Sequence, residues 1–515
     1  MKPIILPLAL VGAALSGLLY FLGYAGMDVW PLELVAFVPL YVALQGRSAK
    51  ASFWLGALNG LVMCVGGFYW LYNMLKAFSG FGTFLCIFFM VVICAFQGLR
   101  HAVMCWLYAR GVARGHNRSL VFLAANAATE LCFPLLFTWY FGAGVHEVPL
   151  LVQGADLGGP IFVSLILVAA NLAFAEPLLA RLERRPIDRR LLVACGAAFA
   201  INLAYGALRI SQTDARMATA DEAQVGIVQG NMGLMQKRED SAEGLRRHKR
   251  LTAELRRKGA DLVVWSESSV TFAVPEQMYK TFMHDQVSGH LGVPSIFGAV
   301  VFRHDKDDRE RWFNSALVAN AQGDVQGRYD KQFLLAFGEY LPFGETFPIL
   351  HKWSPNSGKF SKGTSLEPLR VEVKGKERVI TTLICYEDIS PSFTNEIVKF
   401  GNPELLVNIT NDAWFGDSTE PWEHLALAKF RAIEHRRYLV RSTNSGVSAI
   451  VDANGRVVVS TDTFVAEAKM APVKFMRGGT VYESLGDWPW AAVSLISLGF
   501  AFVKRKTTAA RSDKN

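Results

Sequence analysis

The stretch Val379-Ile-Thr-Thr-Leu-Ile-Cys385-Tyr-Glu-Asp388 decides the fold of the larger part of this chain. Its first half is rich in β-branched and aliphatic side chains and predicts a buried strand that ends at the polar turn. Similar short runs alternate with longer amphipathic segments from 211 to 486, and this alternation predicts a layered α/β domain. The predicted strands include 224–228, 262–265, 295–301, 316–319, 379–385, 405–409 and 438–442, and the predicted helices between them are 242–258, 275–291, 390–399 and 420–436.

Outside this domain the chain is much more apolar, and the whole sequence has a mean hydropathy of +0.23. A helix needs roughly 20 mostly apolar residues to cross ~30 Å of hydrocarbon. Eight runs are candidates, and they predict an α-helical transmembrane bundle of eight spans. A cleaved signal peptide fits the first run less well, because its apolar stretch exceeds the usual ~7–15 residues. The runs are 3–24, 30–44, 53–75, 81–107, 120–140, 160–179, 191–210 and 488–503, of which the second and eighth are short.

These runs divide the chain into three parts. We expect a seven-span transmembrane domain at 1–210, an extramembrane domain at 211–486, and an eighth span with a basic tail at 487–515. Basic residues fall in every second connection, as cytoplasmic loops require, whereas the intervening loops hold only Lys76. Both termini are therefore expected in the cytoplasm and the large domain in the periplasm. The basic clusters are Lys2; Arg47 and Lys50; Arg110, Arg114 and Arg118; Arg181, Arg184, Arg185, Arg189 and Arg190; and Lys504, Arg505 and Lys506.

The net charge of +8 comes largely from these clusters, so no nucleic-acid partner is expected. Six of the seven cysteines lie in the predicted spans, where a thiol packs as a small apolar side chain. The sequence has no Cys-x-x-Cys pair and no Cys/His spacing typical of zinc, so neither a metal nor a cofactor is expected. Cys385 lies in the domain assigned to an oxidising compartment, without a second cysteine there. Such a thiol is either inert or retained for its reactivity, and the count leaves both alternatives open.

Polar residues stand at the ends of three predicted strands, where α/β folds place their sites. Glu267 follows Asp-Leu-Val-Val-Trp-Ser, Lys331 ends Gly-Arg-Tyr-Asp-Lys, and Cys385 ends its own strand. A carboxylate that takes the thiol proton and a cation that stabilises an oxyanion suit acyl transfer through a thioester. Residue types alone do not single out this triad, because these three residues occur together by chance in most domains of this size.

Several motifs agree in order and spacing, and with them the chain resembles the apolipoprotein N-acyltransferases, membrane-bound members of the nitrilase superfamily. The resemblance extends from the eight-span layout and Glu130 through the soluble domain. It departs from the family pattern at 232–238 and at Ala336, which leaves donor preference open. The matching segments are Gln153-Gly-Ala-Asp156, Val228-Gln-Gly-Asn231, Trp265-Ser-Glu267, Tyr329-Asp-Lys331, Phe337-Gly-Glu339-Tyr-Leu-Pro342, Ile384-Cys385-Tyr386-Glu387 and Asn408-Ile-Thr-Asn411-Asp-Ala-Trp-Phe-Gly416.

The resemblance implies a nitrilase-like αββα sandwich whose catalytic triad falls on Glu267, Lys331 and Cys385. It also implies residues that support this triad, for which an ordinary turn or helix start is the alternative. The implied reaction moves an acyl chain from a phospholipid, typically phosphatidylethanolamine, to the cysteine and then to the α-amine of a lipoprotein's diacylglyceryl-cysteine. Phospholipids and diacylated lipoproteins of the bacterial inner membrane are the implied partners, and a monomer is expected. The supporting residues are Glu339, Tyr386 and Glu387.

The stretch 341–360 is apolar but has no strand or helix periodicity. Its aromatic residues suit the head-group region of a bilayer and could gate lipid access to the site. An ordinary packed loop is the equally weighted alternative. The access-loop residues are Phe343, Phe347, Trp353 and Phe360.

Two rival functions remain at this point. A membrane-tethered carbon–nitrogen hydrolase could use the same triad, with water taking the acyl group from the thioester. A transporter or scaffold with an inactive nitrilase-like domain is the other rival, but Glu130 and Glu176 are too few acids in the spans for an ion path. The eight predicted spans and the apolar loop favour acyl transfer over hydrolysis.

Overall fold

The computed structural model describes residues 3–233, 240–306, 308–335, 339–340 and 360–505. The access-loop residues Phe343, Phe347 and Trp353 lie outside the described residues, as do Ala336 and 234–238. The helices are α1 (Leu6–Leu22), α2 (Val38–Leu44), α3 (Ala49–Gly67), α4 (Leu71–Ser79), α5 (Thr83–Ala113), α6 (Arg118–Cys132), α7 (Pro149–Val152), α8 (Ala155–Glu183), α9 (Arg189–Thr219), α10 (Ser241–Arg257), α11 (Tyr279–Met283), α12 (Pro391–Gly401), α13 (Glu420–His435), α14 (Val481–Leu485) and α15 (Trp488–Phe502).

Among the described residues, four helices are long and apolar enough to cross a membrane: α3, α5, α8 and α9. Three further apolar segments are shorter, namely Leu6–Leu22, Trp30–Leu44 and Trp488–Phe502. The predicted run at 30–44 is a 3₁₀ turn (Trp30–Leu34) followed by α2. Pro39 lies in the first turn of α2, where its missing N–H is tolerated, whereas inside a continuous helix its ring would clash with the carbonyl of residue 35. The apolar helical region that the sequence predicts is therefore present, with the run at 30–44 broken in two. The helix in the predicted run 53–75 ends at Gly67, and the helix in the run 120–140 ends at Cys132, shortly before Pro134.

Glycines bring α3 and α5 into close contact. A Cβ atom on Gly60 would lie 2.2 Å from the Gly98 carbonyl oxygen, and one on Gly56 would lie 2.3 Å from the His101 carbonyl oxygen. Small residues allow this approach, which van der Waals packing requires in lipid. Asn59 adds a polar link across the helices, since its side chain lies 2.6 Å from Nδ1 of His101 and donates to the Ala13 carbonyl of α1 at 3.0 Å.

The α/β domain contains two β-sheets. Their strands are β1 (Glu222–Gln229), β2 (Leu262–Trp265), β3 (Ala273–Pro275), β4 (Ser295–His304), β5 (Glu310–Ala319), β6 (Val325–Asp330), β7 (Leu369–Val373), β8 (Lys376–Ile384), β9 (Leu405–Thr410), β10 (Leu439–Thr443), β11 (Ala449–Val451), β12 (Val457–Ser460) and β13 (Glu467–Lys474). The first sheet has seven strands in the order β13-β1-β2-β4-β5-β6, with β3 pairing β4, and the second has the order β12-β11-β10-β9-β8-β7. In the second sheet β8, β9 and β10 are parallel, and Ile384 pairs with Ile409.

Both sheets contribute to one buried apolar core, in which Ile227 and Val264 of the first sheet pack with Leu383 and Val407 of the second. A separate core joins the other face of the first sheet to α10 through Leu255. Helices α12 and α13 contact the second sheet. The α/β domain predicted from the alternation of strands and helices is confirmed.

Buried ion pairs join the soluble domain to the membrane-spanning part. Arg436, which ends α13, lies 2.7 Å from the Asp156 carboxylate at the start of α8 and donates to Gln153 at 2.6 Å. Arg209 of α9 pairs with the same carboxylate at 2.8 Å. Helix α9 is continuous to Thr219, beyond the predicted domain boundary at 210. The two parts are therefore packed together around a shared acid rather than connected only by the chain.

Candidate active site

Cys385 lies directly after β8, at the start of a short 3₁₀ turn (Cys385–Ile389). Its φ of 54° is in the left-handed region, which is costly for a residue with a side chain and is common where a strand turns sharply into a functional loop. The side chain is half-buried. The Asn408 amide donates to the Cys385 carbonyl at 3.0 Å and to the Leu383 carbonyl at 3.3 Å. The predicted nucleophile therefore sits on a turn that neighbouring polar groups hold in a strained conformation.

Glu387 connects this turn to the chain around Lys331. One carboxylate oxygen accepts hydrogen bonds from the backbone N–H groups of Gln332 at 2.6 Å and Phe333 at 2.9 Å, and the other accepts from the Ile384 N–H at 2.8 Å. The Tyr329 hydroxyl donates to both oxygens at 3.0 Å. Burial raises the pKa of Glu387 to about 7. A single fully buried side chain thus fixes the relative position of the β6 and β8 ends.

Lys331 follows β6 and is fully buried, with its ammonium 2.7 Å from a Glu339 carboxylate oxygen. Burial opposes a charge on Lys331, but Cys385, Glu339 and Glu267 outweigh this effect, so the pKa of the lysine is raised. The cation is therefore retained at neutral pH.

Glu267 lies just beyond the end of β2, and Asn314 of β5 connects it to Glu339. The Asn314 amide donates to Glu267 at 2.6 Å and to Glu339 at 3.1 Å, while the Asn314 carbonyl accepts from the Lys331 N–H at 2.9 Å. Sequence reasoning missed Asn314, because an asparagine inside a strand carries no motif of its own. Its signal was only its polar character among the buried neighbours of β5.

The electrostatic surroundings of Cys385 favour a protonated thiol at rest. Burial raises its pKa well above the usual range, Lys331 lowers it, and the negative charges of Glu267 and Glu339 raise it further. A hydrogen bond with Thr410 of β9 lowers it as well. Because the thiolate is the nucleophile, such a cysteine needs a base within reach and a cation to hold the thiolate once it forms. The structure places the four predicted residues Glu267, Lys331, Glu339 and Cys385 within electrostatic reach of one another.

Tyr386 and Phe360 border this cluster. The Tyr386 hydroxyl donates to Glu420 at 2.6 Å, and its ring stacks on His424 with centroids 4.7 Å apart. Phe360 is half-buried, and its N–H donates to the Glu339 carbonyl at 3.0 Å. Of the predicted access-loop residues, Phe360 is thus beside the cluster.

A buried network of charges supports the nucleophile turn from behind, and sequence reasoning missed it. Arg441 of β10 donates to Asp388 at 2.9 Å and to Asp412 at 3.0 Å. His424 of α13 lies 2.8 Å from Asp388 through Nε2 and 3.2 Å from Asp412 through Nδ1. Asp412, His424 and Glu420 have the ligand types of a metal site, but Arg441 and His424 already pair with the Asp412 carboxylate and the Tyr386 hydroxyl donates to that of Glu420. We therefore interpret the network as structural.

His424 gives this network a pH dependence. Burial and Arg441 oppose its protonation, but Asp388 and Asp412 outweigh them and raise its pKa to about 9. An unfolded histidine titrates near ~6.5, so the stabilisation is fully present below about pH 6.5 and is lost as the pH rises through about 9. We expect the thermal unfolding midpoint of the purified protein to fall over this interval, and His424→Gln to flatten the fall. The exposed His290→Gln is the matched control, and an unchanged slope in His424→Gln would contradict the assignment.

Comparison with known proteins identifies the family. The family model for the apolipoprotein N-acyltransferase N-terminal domain matches residues 16–173, and the family model for carbon-nitrogen hydrolases matches residues 224–476. The apolipoprotein N-acyltransferase of Azotobacter vinelandii is 30% identical over 517 residues, covering 97% of this chain and 95% of that protein. The chain belongs to the apolipoprotein N-acyltransferase family. The apolipoprotein N-acyltransferase of Geobacter metallireducens is 29% identical and covers 94% of this chain and 92% of its own length.

Among solved structures, the amidase from Nesterenkonia sp. AN1 is similar to part of the chain. One of its mutants, described as from the nitrilase superfamily, has 16% identity and a TM-score of 0.36, covering 52% of this chain and 96% of that one. Membership in the apolipoprotein N-acyltransferase family makes the chain an acyltransferase and a membrane-integral protein with a carbon-nitrogen hydrolase domain. The predicted family resemblance is thereby confirmed.

Proposed function

We propose that the protein transfers an acyl chain from a phospholipid, of the phosphatidylethanolamine type, through a Cys385 thioester to the α-amine of the N-terminal diacylglyceryl-cysteine of lipoproteins. The observation that carries this proposal is the position of the cysteine against the apolar core of the membrane helices. Cys385, Tyr386 and Leu335 pack on that core, and the rings of Tyr386 and Phe137 are 6.3 Å apart. A nucleophile in this position lies beside the membrane helices, which suits an ester donor dissolved in the bilayer.

In the first half-reaction, Glu267 takes the Sγ proton of Cys385 and the thiolate attacks the ester carbonyl of the phospholipid. Lys331 stabilises the oxyanion of the tetrahedral intermediate, a role in which a pre-placed cation in a water-poor site is effective. The ester C–O bond then breaks, and the lysophospholipid oxygen leaves with the proton held by Glu267. Glu339 keeps the lysine in position through its ion pair.

In the second half-reaction, the lipoprotein's α-amine attacks the thioester carbonyl. The amine gives a proton to Glu267, the C–S bond breaks, and the departing thiolate of Cys385 recovers that proton as the amide forms. The same base and the same oxyanion partner therefore serve both steps, as expected for a ping-pong reaction. Because Glu267, Lys331 and Cys385 all come from one chain, we propose that the enzyme acts as a monomer. We propose no nucleic-acid partner.

The proposal places the protein in the bacterial inner membrane with eight spans, both termini in the cytoplasm and the catalytic domain in the periplasm. The alternation of basic residues supports this topology. The four long apolar helices and the three shorter apolar segments support seven of the eight spans, all except the run at 120–140. It also retains the division at 1–210, 211–486 and 487–515 and the αββα order of layers, which the two facing sheets support. Both lipid substrates then reside in the leaflet next to the site.

The test is a two-substrate assay on the purified full-length protein in detergent. We expect incubation with phosphatidylethanolamine alone to add one acyl chain to the enzyme at Cys385, measured by intact mass and peptide mapping. Addition of a diacylated Cys-terminal lipopeptide is then expected to discharge the enzyme and to add the same acyl mass to the peptide. Both masses should be absent in Cys385→Ala, which is the blank for the assay.

Free fatty acid with an unchanged lipopeptide would contradict the transfer reaction and favour the membrane-tethered carbon–nitrogen hydrolase. A labelled enzyme in Cys385→Ala would contradict the assignment of the nucleophile. Exposed Cys132 offers a matched control, since Cys132→Ala is expected to label and transfer as the unchanged protein does.

A further inference from the structure

Two cavities with shared lining residues extend from beside the Cys385 turn to the outside of the protein. The inner one has a volume of about 170 Å³ and is lined by Tyr386, next to Cys385, and by Leu335, whose N–H donates to Glu339 at 2.9 Å. The outer one has a volume of about 750 Å³, which is within the ~300–1,000 Å³ typical of ligand pockets. We call the two together the lateral groove.

The inner and outer cavities share Leu131 at the end of α6, Ser392 in the first turn of α12 and Asp487 just before α15. Leu131 belongs to the membrane part, and Ser392 belongs to the α/β domain. The groove therefore follows the seam between the two parts of the protein, and these three side chains border its junction.

Lipid is the expected surrounding at the outer end of the groove. Trp488 at the start of α15 is 80% exposed and Phe400 at the end of α12 is 57% exposed, and both line the outer cavity. Exposed tryptophan at a helix end is typical of the membrane interface. Glu396 and Lys399 are exposed on the same wall, so the charges lie at the rim rather than beside the cysteine.

The inner cavity is suited to an apolar occupant. Leu135, Leu136 and Ile389 contribute apolar walls. Asp487 is the one charged side chain among the described residues that line it, and the Tyr482 hydroxyl donates to this carboxyl at 3.0 Å. Its hydrogen bond is thus supplied by the protein, so an alkyl chain in the cavity would not leave it without a partner.

We propose that the lateral groove holds the alkyl chain of the Cys385 thioester, with Leu131 and Ser392 setting the chain length that the enzyme accepts. The inference rests on the proposed function, since it needs an acyl group on the cysteine. A long chain attached at Cys385 passes Tyr386 and Leu335, runs between Leu131 and Ser392, and ends in the outer cavity against Phe400 and Trp488. A short chain ends in the inner cavity and does not reach the junction.

The experiment narrows the junction from each wall separately. We expect Leu131→Trp and Ser392→Trp to slow thioester formation with a hexadecanoyl phosphatidylethanolamine by about tenfold or more, measured as the rate of the Cys385 mass shift. Octanoyl phosphatidylethanolamine is expected to label both variants at nearly the rate of the unchanged protein. Val193→Trp is the matched control and should leave the chain-length profile unchanged, because Val193 of α9 is 70% exposed.

The outcomes separate this inference from the proposed function. Equal labelling by both donors in both narrowed variants, with the profile of the unchanged protein, would overturn the assignment of the groove while leaving the thioester intact. Absence of any acyl adduct at Cys385 in the unchanged protein would overturn the proposed function itself. Labelling by the short-chain donor reports directly on the active site of each variant and so detects misfolding. The two substitutions also lie on different elements.

Discussion

Lys331→Met is expected to slow formation of the Cys385 thioester by about 10²–10³-fold, the usual cost of removing one oxyanion donor. Methionine removes the cation that lies 2.7 Å from Glu339 and that lowers the pKa of the Cys385 thiol. The thiol is then left with burial and two acidic neighbours, all of which raise its pKa. The residual rate should therefore increase with pH more steeply than in the unchanged protein.

The measurement is a single-turnover assay in which the acyl mass on Cys385 is followed after mixing with phosphatidylethanolamine. Lys362→Met is the matched control and should label at the unchanged rate, since Lys362 is exposed and precedes Gly363, whose N–H donates to the Lys331 carbonyl. Removing one partner of a buried ion pair also destabilises the fold, by about 3–5 kcal/mol, so the thermal unfolding midpoint is measured in parallel. A folded Lys331→Met protein that labels at the normal rate would exclude the lysine from the chemistry.

The strand ends that carry Glu267, Lys331 and Cys385 could be predicted because buried strands have a strong local signal. Predicted strands at 262–265 and 379–385 correspond to β2 and β8, and the predicted helix at 420–436 corresponds to α13. Convergence of the three residues followed from the rule that α/β domains place polar residues at strand ends. The structure brings them into electrostatic contact, and their catalytic roles remain predictions.

The residues that hold the site together could not be predicted in the same way. Asn314 of β5 donates to Glu267 and Glu339, although it is 47 residues from Glu267 in the sequence. Its strand pairs antiparallel with β6. His424 reaches Asp388 from a different helix. These contacts depend on how sheets and helices pack, which no local pattern encodes. The predicted helix at 275–291 is reduced to α11 and a π turn (His284–Ser288), because the chain up to Pro275 pairs with β4 as β3 and the helix begins only at Tyr279.

The membrane-spanning part shows a similar limit. Hydropathy locates apolar segments but does not reveal where a proline divides one, as at 30–44, or where glycines such as Gly60 and Gly98 allow two helices to touch. The pairing of Asp156 with Arg436 is likewise invisible locally, since 280 residues separate them. The signal that could have found it is a charged residue in an apolar run, which needs a partner to be stable in lipid.

Glu387→Ala is expected to destabilise the protein by several kcal/mol and to abolish measurable thioester formation. Alanine leaves the buried N–H groups of Ile384, Gln332 and Phe333 without their acceptor, at a cost of about 1–3 kcal/mol for each group. The same contacts join the Cys385 turn to the chain that follows Lys331. Without them, the distance and orientation between the nucleophile and the cation are no longer fixed. A positional error of about 1 Å at a reacting centre is enough to cost a further ~10²-fold in rate.

Glu387→Gln provides the graded comparison that separates a hydrogen-bonding role from a role of the charge. Burial raises the pKa of Glu387 to about 7, so a neutral amide is a close electrostatic match near neutral pH. With its oxygen toward Gln332 and Phe333, glutamine keeps two acceptor contacts and turns an amino group toward the Ile384 N–H. Unfolding midpoint and labelling rate should therefore fall in the order unchanged, Gln, Ala, whereas the exposed Glu372→Ala should match the unchanged protein. Equal losses in the Gln and Ala variants would instead assign the effect to the negative charge, because the two differ in hydrogen bonding and not in charge.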